Sequence, residues 1–319
     1  MKKRRHVVSG AEAGPLSSIL AGVLGEAPAV VRQRIEQGGA YVDGRRVKDP
    51  ARAVRAGQVL TVVLEESGED VLHPPAAPPT LEVLHRDAWM LVVAKPAGLT
   101  AQPTPGRSGD SLLDVASALA QQPVGLVHRL DRETTGVTVF GLTREATSAL
   151  AAAFREGTAK KRYLAACGPA LAAHGTQGEI DLPLSKDPSR PGRFRATRAA
   201  HGVPAHTLWR LLCADEDHAL VSLFPQTGRT HQLRAHLTAL GAPICGDRRY
   251  GGQPLVAGAA AERCLLHAQG LELPHPKTGR AVLFEAPLPS DLSRVFAADG
   301  VTPPVGRWQT PGPGGPGSV

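Results

Sequence analysis

The chain has 319 residues, 42% of them hydrophobic, so it can build a substantial core and is not expected to be disordered as a whole. Lys and Arg number 36 against 29 Asp and Glu, and this surplus favours a polyanionic partner such as nucleic acid. Four scattered cysteines without a Cys-x-x-Cys pair argue against a disulfide framework and a cysteine-rich zinc site, and they fit a cytoplasmic protein. The sequence contains no segment that is apolar and long enough to predict a membrane span.

The first predicted unit covers residues 1–65. A helix is predicted over 30–36, two short strands around an Asp-Gly turn over 41–47, and a further strand over 58–64. This α/β pattern resembles the S4 RNA-binding module, in which a helical pair and a hairpin present basic side chains to RNA. The resemblance implies RNA binding by Arg32, Arg34, Arg45, Arg46 and Lys48. The alternative is a small adaptor whose basic face is only solvated.

Two segments are predicted to lie outside the folded units. Residues 66–80 are acidic and then rich in Pro and Ala, which is typical of a linker. Residues 301–319 end in a run of Pro and Gly and are predicted to form a disordered tail. The second folded unit is therefore expected over residues 81–300.

Strands and helices alternate irregularly in this second unit. Strands are predicted over 91–94, 125–128, 137–142, 161–167, 207–214 and 218–224. A helix from 144 to about 156 has Thr143 as its N-cap and Gly157 as its end, and a second helix is predicted over 230–240. Because no regular strand-helix repeat is present, we predict an α+β fold with a mixed, largely antiparallel sheet and flanking helices.

The densest cluster of chemically active side chains is the segment His-Arg-Leu-Asp-Arg-Glu-Thr-Thr-Gly at 128–136. It places the carboxylate of Asp131 between Arg129 and Arg132 after a predicted strand. A nearby cation favours the ionised carboxylate, which keeps it available as a nucleophile or base. A salt-bridged surface aspartate would give the same pattern, so these residues alone leave both interpretations open.

The same segment resembles the signature of the RluA-type pseudouridine synthases, His-Arg-Leu-Asp-Arg-x-Thr-Ser-Gly, with Thr135 in place of the usual serine. Other segments between residues 81 and 289 resemble further motifs of this family in the same order. They are Lys-Pro-Ala-Gly at 95–98, Lys-Arg-Tyr-Leu-Ala at 161–165, Thr-Gly-Arg-Thr-His-Gln-Leu-Arg at 227–234, Gly-Ala-Pro-Ile at 241–244, Gly-Asp at 246–247, Tyr-Gly at 250–251, Leu-His-Ala at 266–268 and His-Pro at 275–276. The resemblance implies the pseudouridine synthase fold and an enzyme that isomerises uridine in RNA.

The resemblance also implies roles for individual residues. Asp131 is expected to attack the target uridine covalently, at the base or at the anomeric carbon, after which the freed uracil rotates and reattaches through carbon. Tyr163 is expected to pack against the base, with its hydroxyl a candidate for the final proton removal. Arg229 is expected to pair with Asp131, a role that fits its place at the start of a predicted helix. No cofactor or metal is implied.

Other residues are expected to hold the RNA. The family resemblance implies that Leu233 lines the uracil pocket and that Arg129 takes part when the target nucleotide is extruded from the RNA stack. Arg132 is a candidate phosphate contact. The Pro- and Gly-containing stretch over 186–198 is rich in basic side chains, of which Arg193 and Arg195 are predicted to contact phosphates. A solvated loop is the alternative for this stretch.

The sequence therefore predicts an isomerase that converts specific uridines of structured RNA to pseudouridine. Large-subunit ribosomal RNA is the first substrate class, because an S4-like module accompanies the catalytic unit, and transfer RNA is the second. A non-catalytic RNA-binding ribosome-assembly factor is the alternative from another class. We expect a cytoplasmic monomer.

Overall fold

The computed structural model describes residues 2–36, 39–65, 80–103, 111–199 and 202–312. The chain divides into two compact units, Met1–Pro78 with Thr100–Val115, and Pro79–Leu99 with Ala116–Val319. The predicted division differs from this one, because it assigned residues 100–115 to the second unit. Residues 66–79 of the predicted linker lie outside the described residues.

The first unit is built on a four-stranded antiparallel sheet in the order β1-β6-β3-β4. Its strands and helices are β1 (Lys2–Val7), β2 (Gly14–Pro15), α1 (Leu16–Leu24), α2 (Pro28–Glu36), β3 (Ala40–Val42), β4 (Arg45–Val47), β5 (Ala53–Val54) and β6 (Val59–Glu65). Asp43 and Gly44, which join β3 to β4, have φ angles of 50° and 78°. Two consecutive positive φ values match the twist of a two-residue hairpin, which explains the Asp-Gly pair.

Apolar side chains one helical turn apart on α1 and α2 pack against this small sheet. Leu16 and Leu20 of α1, and Val31 and Ile35 of α2, are each at most 1% exposed and belong to one core cluster with the buried strand residues. The spacing of four residues places each pair on one helix face, which can then be buried against the sheet.

The second unit is built on one ten-stranded sheet. Its strands are β7 (Glu82–Arg86), β8 (Met90–Lys95), β9 (Gly125–Leu126), β10 (Thr135–Gly141), β11 (Lys160–Cys167), β12 (Gln177–Asp181), β15 (His206–Ala214), β16 (Ala219–Pro225), β19 (Leu266–Pro274) and β20 (Ala281–Glu285). Two-stranded ribbons are formed by β13 (Leu184–Lys186) with β14 (Phe194–Ala196), and by β17 (Leu255–Val256) with β18 (Ala259–Ala260). The remaining helices are α3 (Leu112–Ala120), α4 (Arg144–Arg155), α5 (Gln232–Ala239) and α6 (Ser290–Ala298).

The main path of this sheet runs β12-β15-β16-β11-β19-β10-β8-β7, while β9 pairs with β10 and β20 with β19. Every strand pair in it is antiparallel except β10 with β19. The predicted mixed, largely antiparallel sheet with flanking helices is confirmed. The central strands β10 and β16 are buried along their whole length, which explains why most of their side chains are apolar on both faces, with Thr and Ser as the polar exceptions.

Helix α4 covers part of this sheet. The side chain of Thr143 accepts a hydrogen bond from the backbone N–H of Ala146, as predicted for an N-cap. Leu150 and Ala153, on the buried face of α4, belong to the same core cluster as Val137 and Val139 of β10. The helix therefore fixes the position of β10, and with it the loop that enters β10.

The predicted disordered tail is wrong for residues 301–312. The backbone N–H of Gly306 donates to the Glu285 carboxylate, and the Arg162 guanidinium carbon lies 4.6 Å from the ring centre of Trp308. Arg162 is only 2% exposed and also bonds to Glu285. Burial of a cation under an aromatic ring orders the segment despite its Pro and Gly content. The last seven residues lie outside the described residues.

All four cysteines are free thiols. Among the helices of the described ranges, none has the length and apolar character needed to cross a membrane.

Candidate active site

Asp131 lies in the loop between β9 and β10, with its side chain 22% exposed. Lys95, at the end of β8, stabilises the backbone of this loop. Its Nζ donates to the carbonyl oxygens of Pro96, Arg132 and Thr134 at 2.9, 3.0 and 2.9 Å. Burial lowers the pKa of Lys95 to about 7, and the charge of Asp131 opposes that shift. The loop is thus fixed immediately after its carboxylate.

Gly136 explains how the strand after this loop fits into the sheet. Its φ angle is 118°, and a Cβ atom at this position would lie 2.1 Å from the carbonyl oxygen of Ala268. Gly136 and Ala268 are partners in the parallel pairing of β10 with β19. Only glycine permits this close backbone approach, so the last residue of the 128–136 segment is required by packing.

The cation that contacts Asp131 is Arg234, on the first turn of α5. Its Nη1 donates to Oδ2 of Asp131 at 3.0 Å. Its Nε and Nη2 donate to the two carboxylate oxygens of Asp247 at 2.6 and 2.8 Å, and Asp247 is fully buried. Burial disfavours the charged guanidinium, but the hydrogen bonds to Asp247 outweigh it and raise the pKa of Arg234. The guanidinium is therefore fixed on one side by Asp247 and directs its remaining nitrogen at Asp131.

The predicted pairing of Arg229 with Asp131 is wrong. Arg229 is exposed, and its Nε donates to the carbonyl oxygen of Pro204 at 3.0 Å. The physical reason is that α5 begins at Gln232, two residues later than predicted, so Arg229 belongs to the preceding loop and Arg234 to the helix. The sequence offers two arginines five positions apart. The Gly-Asp motif at 246–247 indicates that Arg234 is the buried arginine, because the buried carboxylate of this motif requires a bidentate partner.

Gln232 shapes the loop in which Arg229 lies. Its Oε1 accepts hydrogen bonds from the Thr227 hydroxyl and the Arg229 backbone N–H. Its Nε2 donates to the His206 carbonyl oxygen and the Thr207 hydroxyl on β15. One amide side chain therefore connects the 227–231 loop to the sheet.

A cavity of about 670 Å³ opens beside Asp131. Tyr163 of β11 and Leu233 of α5 line it, and so do Arg129 and Arg229. Burial, with a contribution from the charge of Asp131, raises the pKa of Tyr163, so its hydroxyl stays protonated at neutral pH. Leu233 also belongs to the main core cluster, so its side chain packs in the core and lines the cavity as well.

The cavity also contains basic side chains that the sequence did not single out. Lys161 lines it, donates to the Thr227 carbonyl oxygen at 3.4 Å, and has its pKa lowered to about 8 by burial. His128 stacks on Phe154 with ring centres 4.5 Å apart, and its Nε2 accepts from the Val139 backbone N–H. Burial, and then the charge of Lys161, lower the pKa of His128 to about 3, so this ring is neutral.

The remaining predicted RNA contacts differ in their surroundings. Arg132 is not among the residues that line the cavity, and its Nε donates to the Gly98 carbonyl oxygen. Arg193 stacks over the Tyr250 ring at 4.8 Å, whereas Arg195 is exposed on β14. In the first unit, Arg34 is partly buried in an ion pair with Glu26. The other basic side chains predicted there are exposed, namely Arg32, Arg45, Arg46 and Lys48.

Among the described residues, the group with metal-ligand spacing is Asp215, His218 and Asp299. It lies on the β15–β16 turn and after α6, away from the cavity wall. His218 Nε2 already lies 2.9 Å from a carboxylate oxygen of Asp299. This hydrogen bond gives the group a structural explanation.

The chain is similar to known proteins in sequence and in fold. The family model described as RNA pseudouridylate synthase matches residues 89–239. The chain is 36% identical over 255 residues to ribosomal large subunit pseudouridine synthase D of Nitrosomonas europaea, covering 77% of this chain and 72% of that relative. It is 33% identical over 279 residues to the protein of the same name from Xanthomonas campestris pv. campestris, covering 83% and 82%. The solved structure of human RNA pseudouridylate synthase domain containing 4 is similar in fold, with a TM-score of 0.56, 26% identity, and coverage of 70% of this chain and 95% of that one.

Proposed function

The chain belongs to the RNA pseudouridylate synthase family, and on that premise we propose that it isomerises specific uridines of large-subunit ribosomal RNA to pseudouridine, with Asp131 as the nucleophile. The enzyme is an isomerase acting on RNA. The observation that carries the assignment of Asp131 is its place on the cavity wall, where Arg234 bonds one carboxylate oxygen from a guanidinium that Asp247 holds in position. Such a pair orients a carboxylate for attack in a partly dry pocket.

The reaction rearranges one nucleotide without changing its composition. The carboxylate adds to the anomeric carbon or to the base, the N1–C1′ bond breaks, and the uracil turns so that C5 bonds to C1′. The carboxylate is then released, the proton on C5 is removed and N1 gains a proton. Because the product is an isomer of uridine, the scheme consumes no cofactor.

The cavity supplies surroundings for each part of the nucleotide. Tyr163 and Leu233 form the faces against which a uracil ring would pack, since both line the cavity beside Asp131. The protonated Tyr163 hydroxyl would serve as a relay for the C5 proton. Arg129 and Arg229, both exposed at the wall, would contact the backbone of an extruded nucleotide.

The first unit and the 186–198 segment would add affinity for the RNA outside the cavity. Exposed basic side chains on the β3–β4 hairpin, and Arg195 on β14, suit phosphate contacts. We further propose that the enzyme acts as a monomer. A ribosomal RNA substrate implies a cytoplasmic location.

The test is to map pseudouridine in ribosomal and transfer RNA from cells that lack the protein, after incubation with the purified enzyme. We expect new pseudouridine in large-subunit ribosomal RNA, and none with Asp131→Asn. New pseudouridine confined to transfer RNA would change the substrate class. RNA binding without any new pseudouridine would indicate the non-catalytic assembly factor.

A further inference from the structure

His231 occupies an unusual position directly before α5. Its φ and ψ angles are 57° and 22°, in the left-handed region that a residue other than glycine rarely adopts. Its ring lies edge-on to Phe194 and to Tyr250, with ring centres 5.9 and 5.8 Å apart. The side chain lines the cavity and is 13% exposed. Such a backbone conformation is strained for a residue with a side chain, so the surroundings must hold this ring in place.

The hydroxyl of Tyr250 identifies which ring nitrogen of His231 carries the proton. This hydroxyl accepts a hydrogen bond from the backbone N–H of Phe194 at 3.0 Å, and it lies 3.1 Å from Nδ1 of His231. Its single proton needs an acceptor, and a backbone N–H cannot provide one. Among the partners found in the described ranges, Nδ1 is the atom that can accept this proton. The proton of the neutral ring is then on Nε2.

The other side of the ring leads to the same conclusion. Nε2 of His231 lies 3.8 Å from Oδ2 of Asp131, the oxygen to which Arg234 donates. A lone pair on Nε2 would face a carboxylate and be repelled, whereas an N–H would be attracted. Burial lowers the pKa of His231 to about 4, against the charge of Asp131, with Arg234, Arg249 and Asp247 also acting on it. The ring is therefore neutral at physiological pH.

We propose that His231, fixed as the Nε2–H tautomer by Tyr250, is a positioning residue that donates to Oδ2 of Asp131 alongside Arg234 and so presents Oδ1 to the substrate. This inference rests on the proposed role of Asp131 as nucleophile. The present 3.8 Å separation exceeds a hydrogen bond, and a movement of about 0.8 Å closes it to roughly 3.0 Å. Catalytic hydrogen bonds often tighten in this way when the substrate binds.

Tyr250 also connects this site to the ribbon that carries the basic side chains. Its ring centre lies 4.8 Å from the guanidinium carbon of Arg193 and 5.0 Å from that of Arg234. Its hydroxyl accepts from the first residue of β14. RNA that binds the β13–β14 ribbon and fixes its position would therefore also fix the position of the Tyr250 hydroxyl, which sets the tautomer of His231.

The kinetic test compares Tyr250→Phe, His231→Asn and the double variant. Tyr250→Phe keeps the ring and both cation contacts but removes the hydroxyl. In His231→Asn, asparagine tolerates the left-handed backbone but has no atom in the place of Nε2. We expect each single variant to lower kcat about tenfold with KM within twofold, and the double variant to be no worse than His231→Asn. Unchanged kcat in Tyr250→Phe, or fully additive losses, would overturn the proposal.

A spectroscopic test needs no turnover and therefore separates this proposal from the proposed function. Nitrogen-15 labelling of the 12 histidines distinguishes protonated from unprotonated ring nitrogens, and His231→Asn identifies the signals that belong to His231. We expect Nε2–H in the wild type and a larger fraction of the Nδ1–H tautomer in Tyr250→Phe. A wild-type ring protonated on Nδ1 would refute the inference even if the enzyme proved active.

Discussion

Two loops of this chain place an aspartate beside arginines in sequence, and they differ in almost every other respect. In the β3–β4 turn, Asp43 is followed by Arg45 and Arg46. Its carboxylate accepts from the Val59 backbone N–H and the Gln58 amide, both at 2.8 Å. Through these two hydrogen bonds, Asp43 connects the β3–β4 turn to β6. In the β9–β10 loop, the carboxylate of Asp131 faces a cavity and bonds to a guanidinium 103 positions further along the chain.

The comparison shows that neighbouring charges in sequence are poor guides to partners in space. For both aspartates, the side-chain contacts described above come from residues distant in sequence. What distinguishes Asp131 is a buried second carboxylate, Asp247, that fixes the arginine contacting it. Substitutions at matched positions can therefore separate a structural aspartate from a catalytic one.

The largest expected effect comes from replacing each aspartate with asparagine. Asp131→Asn should lower kcat by at least about a thousandfold, because an amide cannot act as the nucleophile. Asp43→Asn should leave kcat within about twofold, since this carboxylate is outside the cavity. Single-turnover measurements on ribosomal RNA provide the comparison. Equal losses in both variants would show that Asp131 has no special role.

The two arginines of the 227–234 segment offer the next test. Arg234→Lys keeps a positive charge but cannot bond Asp247 and Asp131 together, so we expect kcat to fall about a hundredfold. Arg229→Lys is the matched control, because Arg229 bonds a backbone carbonyl at the exposed rim, and kcat should change less than about fivefold. A reversed order of these losses would restore the pairing of Arg229 with Asp131 that the sequence suggested.

A smaller effect should appear in the pH dependence of RNA binding. Burial lowers the pKa of Lys161 to about 8, so this cation is present below that pH and lost above it. We expect affinity for RNA to weaken about threefold to tenfold as pH rises through 8. Lys161→Arg should remove the step by keeping the charge, and Lys161→Met should remove it at weaker affinity. The exposed Lys48 supplies the control, since Lys48→Met should leave the step in place.

The smallest effect concerns the stability contributed by Asp43. Hydrogen bonds from the Val59 backbone and then from Gln58 lower the pKa of Asp43 in the folded chain. A lowered folded pKa stabilises the protein above the unfolded value, near 4, and this contribution disappears as pH falls through the folded value. Asp43→Asn should therefore slightly lower Tm at pH 7 and have no effect at strongly acidic pH. A Tm difference that persists in acid would assign it to turn geometry.

Patterns that depend on local chemistry could be read from the sequence. The Asp-Gly hairpin, the Thr143 cap and the apolar central strands appear in the structure because each follows from a few adjacent residues. The segment containing Asp131 also stands out locally, but its residues alone leave a catalytic and a salt-bridged aspartate open, and the resemblance to the RluA-type synthases favours the first. The arginine partner of Asp131 could not be identified locally, because the choice between Arg229 and Arg234 depends on where α5 begins and on the distant Asp247.

Two further features were hidden for the same reason. The order of residues 301–312 comes from Trp308 and Gly306, whose partners Arg162 and Glu285 lie elsewhere in the chain. Composition indicates that segments rich in Pro and Gly are flexible, but it does not indicate which surface of the protein they pack against. The grouping of Thr100–Val115 with the first unit likewise depends on contacts remote in sequence.

The three hydrogen bonds of Lys95 have a consequence for the order of folding. Lys95 is the register partner of Gly136 in the β8–β10 pairing, so its amine reaches the Asp131 loop only after those strands have joined. A refolding chain therefore regains turnover only after β8 has paired with β10. Conversely, a brief separation of β8 from β10 will stop turnover while most of the core stays folded. Catalytic rate is thus a more sensitive gauge of native strand pairing than helix content.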